Sequence, residues 1–93
     1  MRIGIPAEVK KDEHRVSLPP DAVRELVRRG HSVAVQSGAG MGSGFGNDEY
    51  TDAGADILDT AAQVWQQAEM VIKVKEPQPG EYDFMRPDLI LFT

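Results

Sequence analysis

The sequence predicts an α/β domain with a mainly parallel sheet and helices on both faces. Two observations lead to this fold class. Short apolar runs rich in β-branched residues alternate with segments whose apolar positions recur at helical spacing. In addition, a single helical segment joins the first two apolar runs, which makes those two strands parallel with a right-handed crossover.

The first strand is predicted at Arg2–Pro6, where a proline ends a short apolar run. Residues 7–17 are dense in charge and are expected to form a loop over the end of the sheet. Pro19 and Pro20 begin a helix that Gly30 ends in a left-handed cap. Residues 31–36 form the second strand.

Residues 37–46 (SGAGMGSGFG) form a glycine-rich stretch. A dinucleotide-binding turn needs glycines at its first, third and sixth positions and opens directly into an apolar helix. Reading frames that begin at Gly38, Gly40 and Gly42 place Ser43, Phe45 and Asn47 at the sixth position. No frame completes the pattern, so we expect a flexible or tightly packed loop rather than a cofactor site.

The remaining elements continue the alternation. Asn47 or Asp48 is predicted to cap a short helix, and Asp59 or Thr60 to cap a later helix that contains the core residue Trp65. The other predicted elements are the helix at 48–53, ended by Gly54, an edge strand at 55–58, a strand at 69–75, a possible turn at 82–85 and a last strand at 89–92. Because the sequence stops directly after an apolar strand, we expect an incomplete domain.

The amino-acid composition argues against several classes of binding partner. A formal net charge of -5 over 93 residues argues against nucleic acid or an anionic membrane surface, since both select dense Lys and Arg patches. No apolar run approaches the length that spans a bilayer, and no signal-peptide pattern is present. The absence of cysteine excludes disulfides and thiolate metal sites and favours the cytoplasm. We predict no metal site.

The strand predicted at 69–75 carries two lysines, Lys73 and Lys75, which would share one face. A lysine in a covered sheet is costly unless its ammonium group reaches a crevice at the strand end, so Lys75 is the stronger candidate for a ligand contact. The alternative is that both lysines are solvated charges at the strand end. Glu8 and Glu76 are either orienting partners for the cations or surface acids.

Arg15 lies in the loop that leaves the first strand, and parallel topology places this loop at the same sheet edge as Lys75. A guanidinium can bind a carboxylate with two parallel hydrogen bonds, and a nearby ammonium can polarise a carbonyl oxygen. Together they suit a small 2-oxo acid. The alternative is a plain ion pair of Arg15 with Glu13 or Asp12, and His14 is expected to be a solvated bystander.

Several blocks of the sequence resemble the start of the alanine dehydrogenases and the related transhydrogenase α subunits. The blocks are Met1–Pro6, Glu8–Lys10, Glu13–Val16, Leu18–Pro20, Ser37–Gly40, Gly42–Gly44, Tyr50, Ala53–Ala55, Val71–Pro77 and Leu91–Thr93. The resemblance extends over essentially the whole chain. The second lysine of the Lys-Val-Lys-Glu-Pro block favours the dehydrogenases over the transhydrogenases.

The resemblance implies a Rossmann- or flavodoxin-like substrate domain of an enzyme that deaminates L-alanine to pyruvate and ammonia with NAD. In that family, an arginine and a lysine matching Arg15 and Lys75 hold pyruvate. The catalytic histidine would follow just after Thr93, and the NAD-binding domain would lie further along, so residues 1–93 would be the N-terminal portion of the substrate domain and inactive alone. The family's enzymes are typically hexamers. Two other functions stay open, namely a transhydrogenase α subunit and a non-catalytic carboxylate-binding module.

Overall fold

The computed structural model describes all residues from 1 to 93 and contains one five-stranded, all-parallel sheet. The strands are β1 (Arg2–Ile5), β2 (Ser32–Gln36), β3 (Asp56–Leu58), β4 (Met70–Ile72) and β5 (Ile90–Phe92). Their order across the sheet is β3-β2-β1-β4-β5. The helices are α1 (Pro20–Arg28), α2 (Asn47–Asp52) and α3 (Ala61–Gln67), with 3-10 turns at Met41–Ser43 and Pro79–Phe84. The predicted fold class is confirmed.

Alternate residues of β1 face opposite layers of helices. Ile3 and Ile5 belong to the larger buried cluster, which includes Val23 of α1 and Tyr50 of α2. Gly4, between them, faces α3 so closely that a Cβ atom on it would lie 2.9 Å from the Val64 Cγ1 atom. Helices therefore cover both faces of the sheet. Helix α3 packs directly against the backbone of β1 because position 4 has no side chain.

A smaller buried cluster lies under α3 on the second face. Trp65 is completely buried there with Ala68 and Val71, and its ring stacks on Phe84 at a centroid distance of 5.6 Å. The prediction that Trp65 is a core residue is confirmed. None of the helices has the length and apolar character needed to cross a bilayer.

The ends of two helices follow the sequence signals. Gly30 has a φ of 93°, and the amide of His31 donates to the carbonyl of Leu26 in a Schellman arrangement, as expected for a glycine cap after α1. Of the two predicted caps for α3, the structure selects Thr60, whose side chain accepts a hydrogen bond from the Gln63 amide at 3.2 Å.

The predicted cap of α2 is wrong. The cap position is Gly46, and its amide donates to the Glu49 carboxylate at 2.9 Å. Asn47 is the first helical residue, and its side chain accepts from the Gly38 amide and donates to the Ser37 hydroxyl. Asn47 is thus engaged by the start of the glycine-rich loop, which leaves the cap to Gly46.

The strand predicted to run to residue 75 ends at Ile72. Beyond it, the Lys73 amide still donates to the Phe92 carbonyl at 2.9 Å, but the amides of Val74 and Lys75 donate to the side chain of Glu8. A side chain therefore replaces the neighbouring strand as hydrogen-bond partner, and the chain leaves the sheet early.

Candidate functional site

The carboxyl ends of three neighbouring strands meet at one edge of the sheet, where ligands bind in open parallel sheets. The charged loop after β1, the glycine-rich loop after β2 and the segment 73–76 after β4 all leave from this edge. Between the first two loops lies a polar cavity of about 160 Å³, lined by Ala7, Glu8, Glu13, His14, Arg15, Gly38, Ala39 and Gly42. The volume suits a small ligand rather than a drug-sized one.

Arg15 and Lys75 both approach Glu13 at this edge. The Arg15 guanidinium binds the Glu13 carboxylate through two hydrogen bonds, from Nε at 3.0 Å and from Nη2 at 2.9 Å. The Lys75 ammonium lies 3.9 Å from the same carboxylate. The structure thus brings together the two cations chosen from the sequence, and it also shows the Arg15 to Glu13 ion pair that the sequence offered as the alternative.

The two cations remain accessible, whereas the acid between them is enclosed. The side chains of Arg15 and Lys75 are 67% and 39% exposed, but that of Glu13 is 6% exposed. Hydrogen bonds from Arg15 are the main reason that the pKa of Glu13 falls to about 2, and the nearby Lys75 charge contributes in the same direction. Glu13 is therefore ionised at neutral pH, and donor groups of both cations face solvent.

Lys73 differs from Lys75 in its burial and in its ion-pair partners. Its side chain is completely buried, and its ammonium lies 3.1 Å from the carboxylates of both Glu8 and Glu81. Those two carboxylate side chains are also almost fully buried. The alternative that both lysines are solvated charges is wrong for Lys73, because the strand end is closed over by the 3-10 turn that carries Glu81.

Glu8 connects the buried charges to the candidate ligand residues. One of its carboxylate oxygens accepts from Lys73 Nζ and from the Lys75 amide, both at 3.1 Å, and the other accepts from the Val74 amide at 3.0 Å. The backbone of Lys75 is thereby held in place by a side chain from the loop after β1. Of the two predicted orienting acids, Glu8 has this role, whereas Glu76 is exposed and pairs with Lys10.

The sequence interpretation missed Lys73 and Glu81 as members of this edge. A lysine directly after an apolar strand carried a signal, because burial of an ammonium requires carboxylate partners. Glu81 also carried one, since it lies three residues after Gln78 and accepts from the Gln78 amide at 3.0 Å, the pattern of a capping acid. Nothing in the spacing pairs the two residues with each other.

The glycine-rich loop is tightly packed at Gly40 and Gly42, and it lacks the features of a dinucleotide-binding turn. A Cβ atom on Gly42 would lie 2.2 Å from the His14 carbonyl oxygen, and one on Gly40 would lie 2.6 Å from the Tyr50 ring. The loop contains the single 3-10 turn Met41–Ser43 and leads into α2, whose sequence NDEYTD is polar, rather than into an apolar helix. Gly40 and Gly42 thus allow close approach of protein to protein, whereas Gly38, Gly44 and Gly46 meet no atom within 4 Å.

The loop instead supports the segment that carries Arg15. His14 contacts Gly42 through its backbone, and the Val16 amide donates to the Ser43 hydroxyl at 3.1 Å. His14 itself is exposed, as expected for a bystander. The loop after β2 therefore fixes the position of the loop after β1.

Comparisons with known proteins agree with this architecture. Residues 4–93 match the family model described as alanine dehydrogenase/PNT, N-terminal domain. Over all 93 residues the chain is 54% identical to alanine dehydrogenase of Bacillus subtilis and 50% identical to that of Mycolicibacterium smegmatis, and it covers 24% and 25% of their lengths. The chain thus spans about a quarter of the length of these relatives.

Two solved structures give the same picture. An L-alanine dehydrogenase superposes with a TM-score of 0.95 at 48% identity, over 98% of this chain and 25% of that one. A transhydrogenase from Sinorhizobium meliloti superposes with a TM-score of 0.88 at 30% identity, over 98% of this chain and 27% of that one.

Proposed function

Because the chain belongs to the family of alanine dehydrogenase and transhydrogenase N-terminal domains, we propose that it forms the N-terminal part of the substrate-binding domain of an NAD-dependent alanine dehydrogenase. The reaction is the reversible oxidative deamination of L-alanine to pyruvate and ammonia. The observation that carries the proposal is the convergence of Arg15 and Lys75 on one point beside a small polar cavity. Residues 1–93 alone are then inactive.

In this proposal, Arg15 binds the carboxylate of pyruvate or alanine. Its guanidinium has donors beyond those used by Glu13, and a planar pair of N–H groups matches a carboxylate. Lys75 donates to the 2-oxo oxygen of pyruvate and stabilises negative charge that develops there. Glu8 positions Lys75 through its backbone amide.

The other parts of the enzyme are proposed outside these residues. NAD is bound by a separate domain, in keeping with the poor fit of the glycine-rich loop to a dinucleotide, and the catalytic histidine follows Thr93. By resemblance to the family, we also infer a cytoplasmic homo-oligomer, most simply a hexamer.

The full-length protein tests the two substrate contacts separately. Replacement Arg15→Ala removes two charge-assisted hydrogen bonds and is expected to raise KM for pyruvate about 100-fold. Replacement Lys75→Ala is expected to lower kcat by about 100-fold or more, since it removes a donor to the developing oxyanion. The measurement is steady-state oxidation of NADH with pyruvate and ammonia.

Lys11→Ala is the matched control, because Lys11 is an exposed cation of the same loop with no ion pair. Kinetics of the control should equal those of the parent protein. Near-normal kinetics in Arg15→Ala or Lys75→Ala would refute the assignment of that residue.

The transhydrogenase likeness makes hydride transfer between nicotinamide nucleotides the second candidate function. The presence of Lys75 favours the dehydrogenase, as the family resemblance implies. Formation of NADH that depends on L-alanine supports the dehydrogenase, whereas reduction of an NADP analogue by NADH without alanine supports the transhydrogenase.

A further inference from the structure

We propose that Glu13 determines the specificity of this site by restricting it to substrates with a single carboxylate. The inference rests on the proposed function, because it concerns the ligand held by Arg15 and Lys75. With one positive charge each, these two side chains would give +2, and the single negative charge of Glu13 leaves +1 on the three contacting groups. The adjacent Glu8 carboxylate also lines the cavity, but it is paired with Lys73. One ligand carboxylate therefore balances the charge of the three contacting groups, and a second one exceeds it.

The geometry allows Glu13 to remain in place while a ligand binds. Glu13 uses the Nε and Nη2 side of the Arg15 guanidinium, and its second contact is with the Arg15 backbone amide at 3.0 Å. A guanidinium has five N–H donors, so the Nη1 group and one N–H of Nη2 are left for another carboxylate. The arginine side chain is 67% exposed, so this free edge is open to a ligand.

Glu13 is also a permanent charge rather than a titrating one near neutrality. Its side chain is enclosed, and the hydrogen bonds from Arg15 keep its pKa at about 2. A ligand that arrives at neutral pH therefore always meets the carboxylate form.

A second ligand carboxylate would find no cation besides Arg15 in the lining of the cavity. The cavity beside Arg15 is lined by Glu8 and Glu13, and Glu8 already accepts hydrogen bonds from Lys73 and two backbone amides. Two further cations lie in the same loop: Lys10 is paired with Glu76, and Lys11 is exposed, but neither lines the cavity. A dicarboxylate would thus place its extra charge against acids in a partly enclosed space, where like charges repel strongly.

The test compares three 2-oxo acids as substrates of the full-length protein with NADH and ammonia. Pyruvate and 2-oxovalerate are monocarboxylates of different length, and oxaloacetate adds a second carboxylate. In Glu13→Gln, which keeps the shape and removes the charge, we expect the ratio of kcat/KM for pyruvate to that for oxaloacetate to fall at least tenfold. The ratio for pyruvate to 2-oxovalerate should stay within twofold, because size selection is unaltered.

Two further variants control for charge and position. Glu25→Gln removes another carboxylate that pairs with arginines, on α1, and should leave both ratios unchanged. Glu13→Asp keeps the charge and should keep the preference for monocarboxylates even if its shorter side chain weakens the contact with Arg15. Thermal unfolding of each variant establishes that it is folded.

The inference is overturned if Glu13→Gln lowers kcat/KM for all three acids by the same factor, which is the result of a purely positioning role, or leaves the ratios unaltered. If that variant has no turnover, calorimetric dissociation constants for pyruvate and oxaloacetate replace the rates with the same tenfold criterion. A parent protein that binds pyruvate without aminating it refutes the proposed activity alone, and a parent that binds neither acid overturns both proposals.

Discussion

Lys73 is an ammonium group held between two carboxylates in the interior. The three side chains are almost fully buried, and each N to O distance is 3.1 Å. A buried ion pair stabilises a fold little beyond what apolar packing would provide, but removal of one partner leaves an uncompensated buried charge. The group is therefore better understood as a constraint on where Glu8 lies, and hence on where Lys75 lies, than as a source of stability.

Replacement Lys73→Met is expected to destabilise the protein by about 3 to 5 kcal/mol, because it leaves Glu8 and Glu81 buried without a cation. Chemical unfolding of the intact protein measures the change. Lys11→Met, an exposed control with the same change of charge, should cost less than about 0.5 kcal/mol. Equal stabilities of the two variants would contradict the burial of Lys73.

Individual residues of the site show which contacts could be predicted from the sequence and which could not. Arg15 and Lys75 could be chosen because each follows a predicted strand at the same sheet edge. The partners of Lys73 lie 65 residues before it and 8 residues after it, and local spacing cannot identify such a pair. The enclosed carboxylate of Glu13 was visible only as one of two possible partners for Arg15.

Among the secondary-structure elements, the alternation of strand and helix could be predicted. Short apolar runs typical of buried strands alternate along the chain with segments whose apolar residues recur at helical spacing. The errors occur where a side chain takes a backbone hydrogen bond. Glu8 takes the amides after Ile72 and shortens β4, and Glu49 takes the amide of Gly46 and moves the cap of α2. These changes of hydrogen-bond partner depend on tertiary contacts, so secondary-structure propensity alone cannot predict them.

The glycine-rich loop gives a prediction at this scale. In Gly42→Ala, the new Cβ would lie 2.2 Å from the His14 carbonyl oxygen, so the segment that carries Arg15 must move. We expect KM for pyruvate to rise about tenfold with a smaller change in kcat, because misplacement affects the binding of the carboxylate. Steady-state kinetics of the full-length variant provide the measurement.

Gly46→Ala is the matched control in the same loop. A Cβ atom on Gly46 meets no atom within 4 Å, and its φ of -86° is accessible to alanine. Its kinetic constants should equal those of the parent. The role given to the loop would be wrong if Gly42→Ala matched this control.

At the scale of the whole molecule, the acidic side chains predict how stability depends on pH. Hydrogen bonds from Arg15 and Lys10, respectively, lower the pKa values of Glu13 and Glu76 to about 2, from an ordinary value of 4.5. Between these values the unfolded state binds more protons than the folded state, so the contribution of these two acids to stability is fully present above about pH 4.5 and is lost as pH falls towards 2.

This decline can be measured as the urea midpoint of the intact protein at several pH values from about 6 to about 2. A double variant, Glu13→Gln with Glu76→Gln, should show a shallower decline over the same range. An identical slope in the parent and the double variant would show that these two acids do not contribute to the acid sensitivity.

The topology of the sheet accounts for the part of the site that could be predicted. In an all-parallel sheet, every carboxyl end lies at one edge, so residues from distant loops meet without any further specification. The prediction of a shared edge for Arg15 and Lys75 needed only this rule. The distance between Arg15 and Lys75 and the position of Glu13 between them depend on side-chain packing. The topology rule says nothing about this packing.

The contacts of Glu8 with residues 73–75 join parts of the chain that are 65 to 67 positions apart. During synthesis, the first loop therefore leaves the ribosome long before its partners do. Closure of so long a segment has an entropic cost that only the completed sheet can offset. A nascent chain that stops before residue 73 lacks Lys75 and the two amides that Glu8 binds, so Arg15 and Lys75 cannot come together until this last segment has been made.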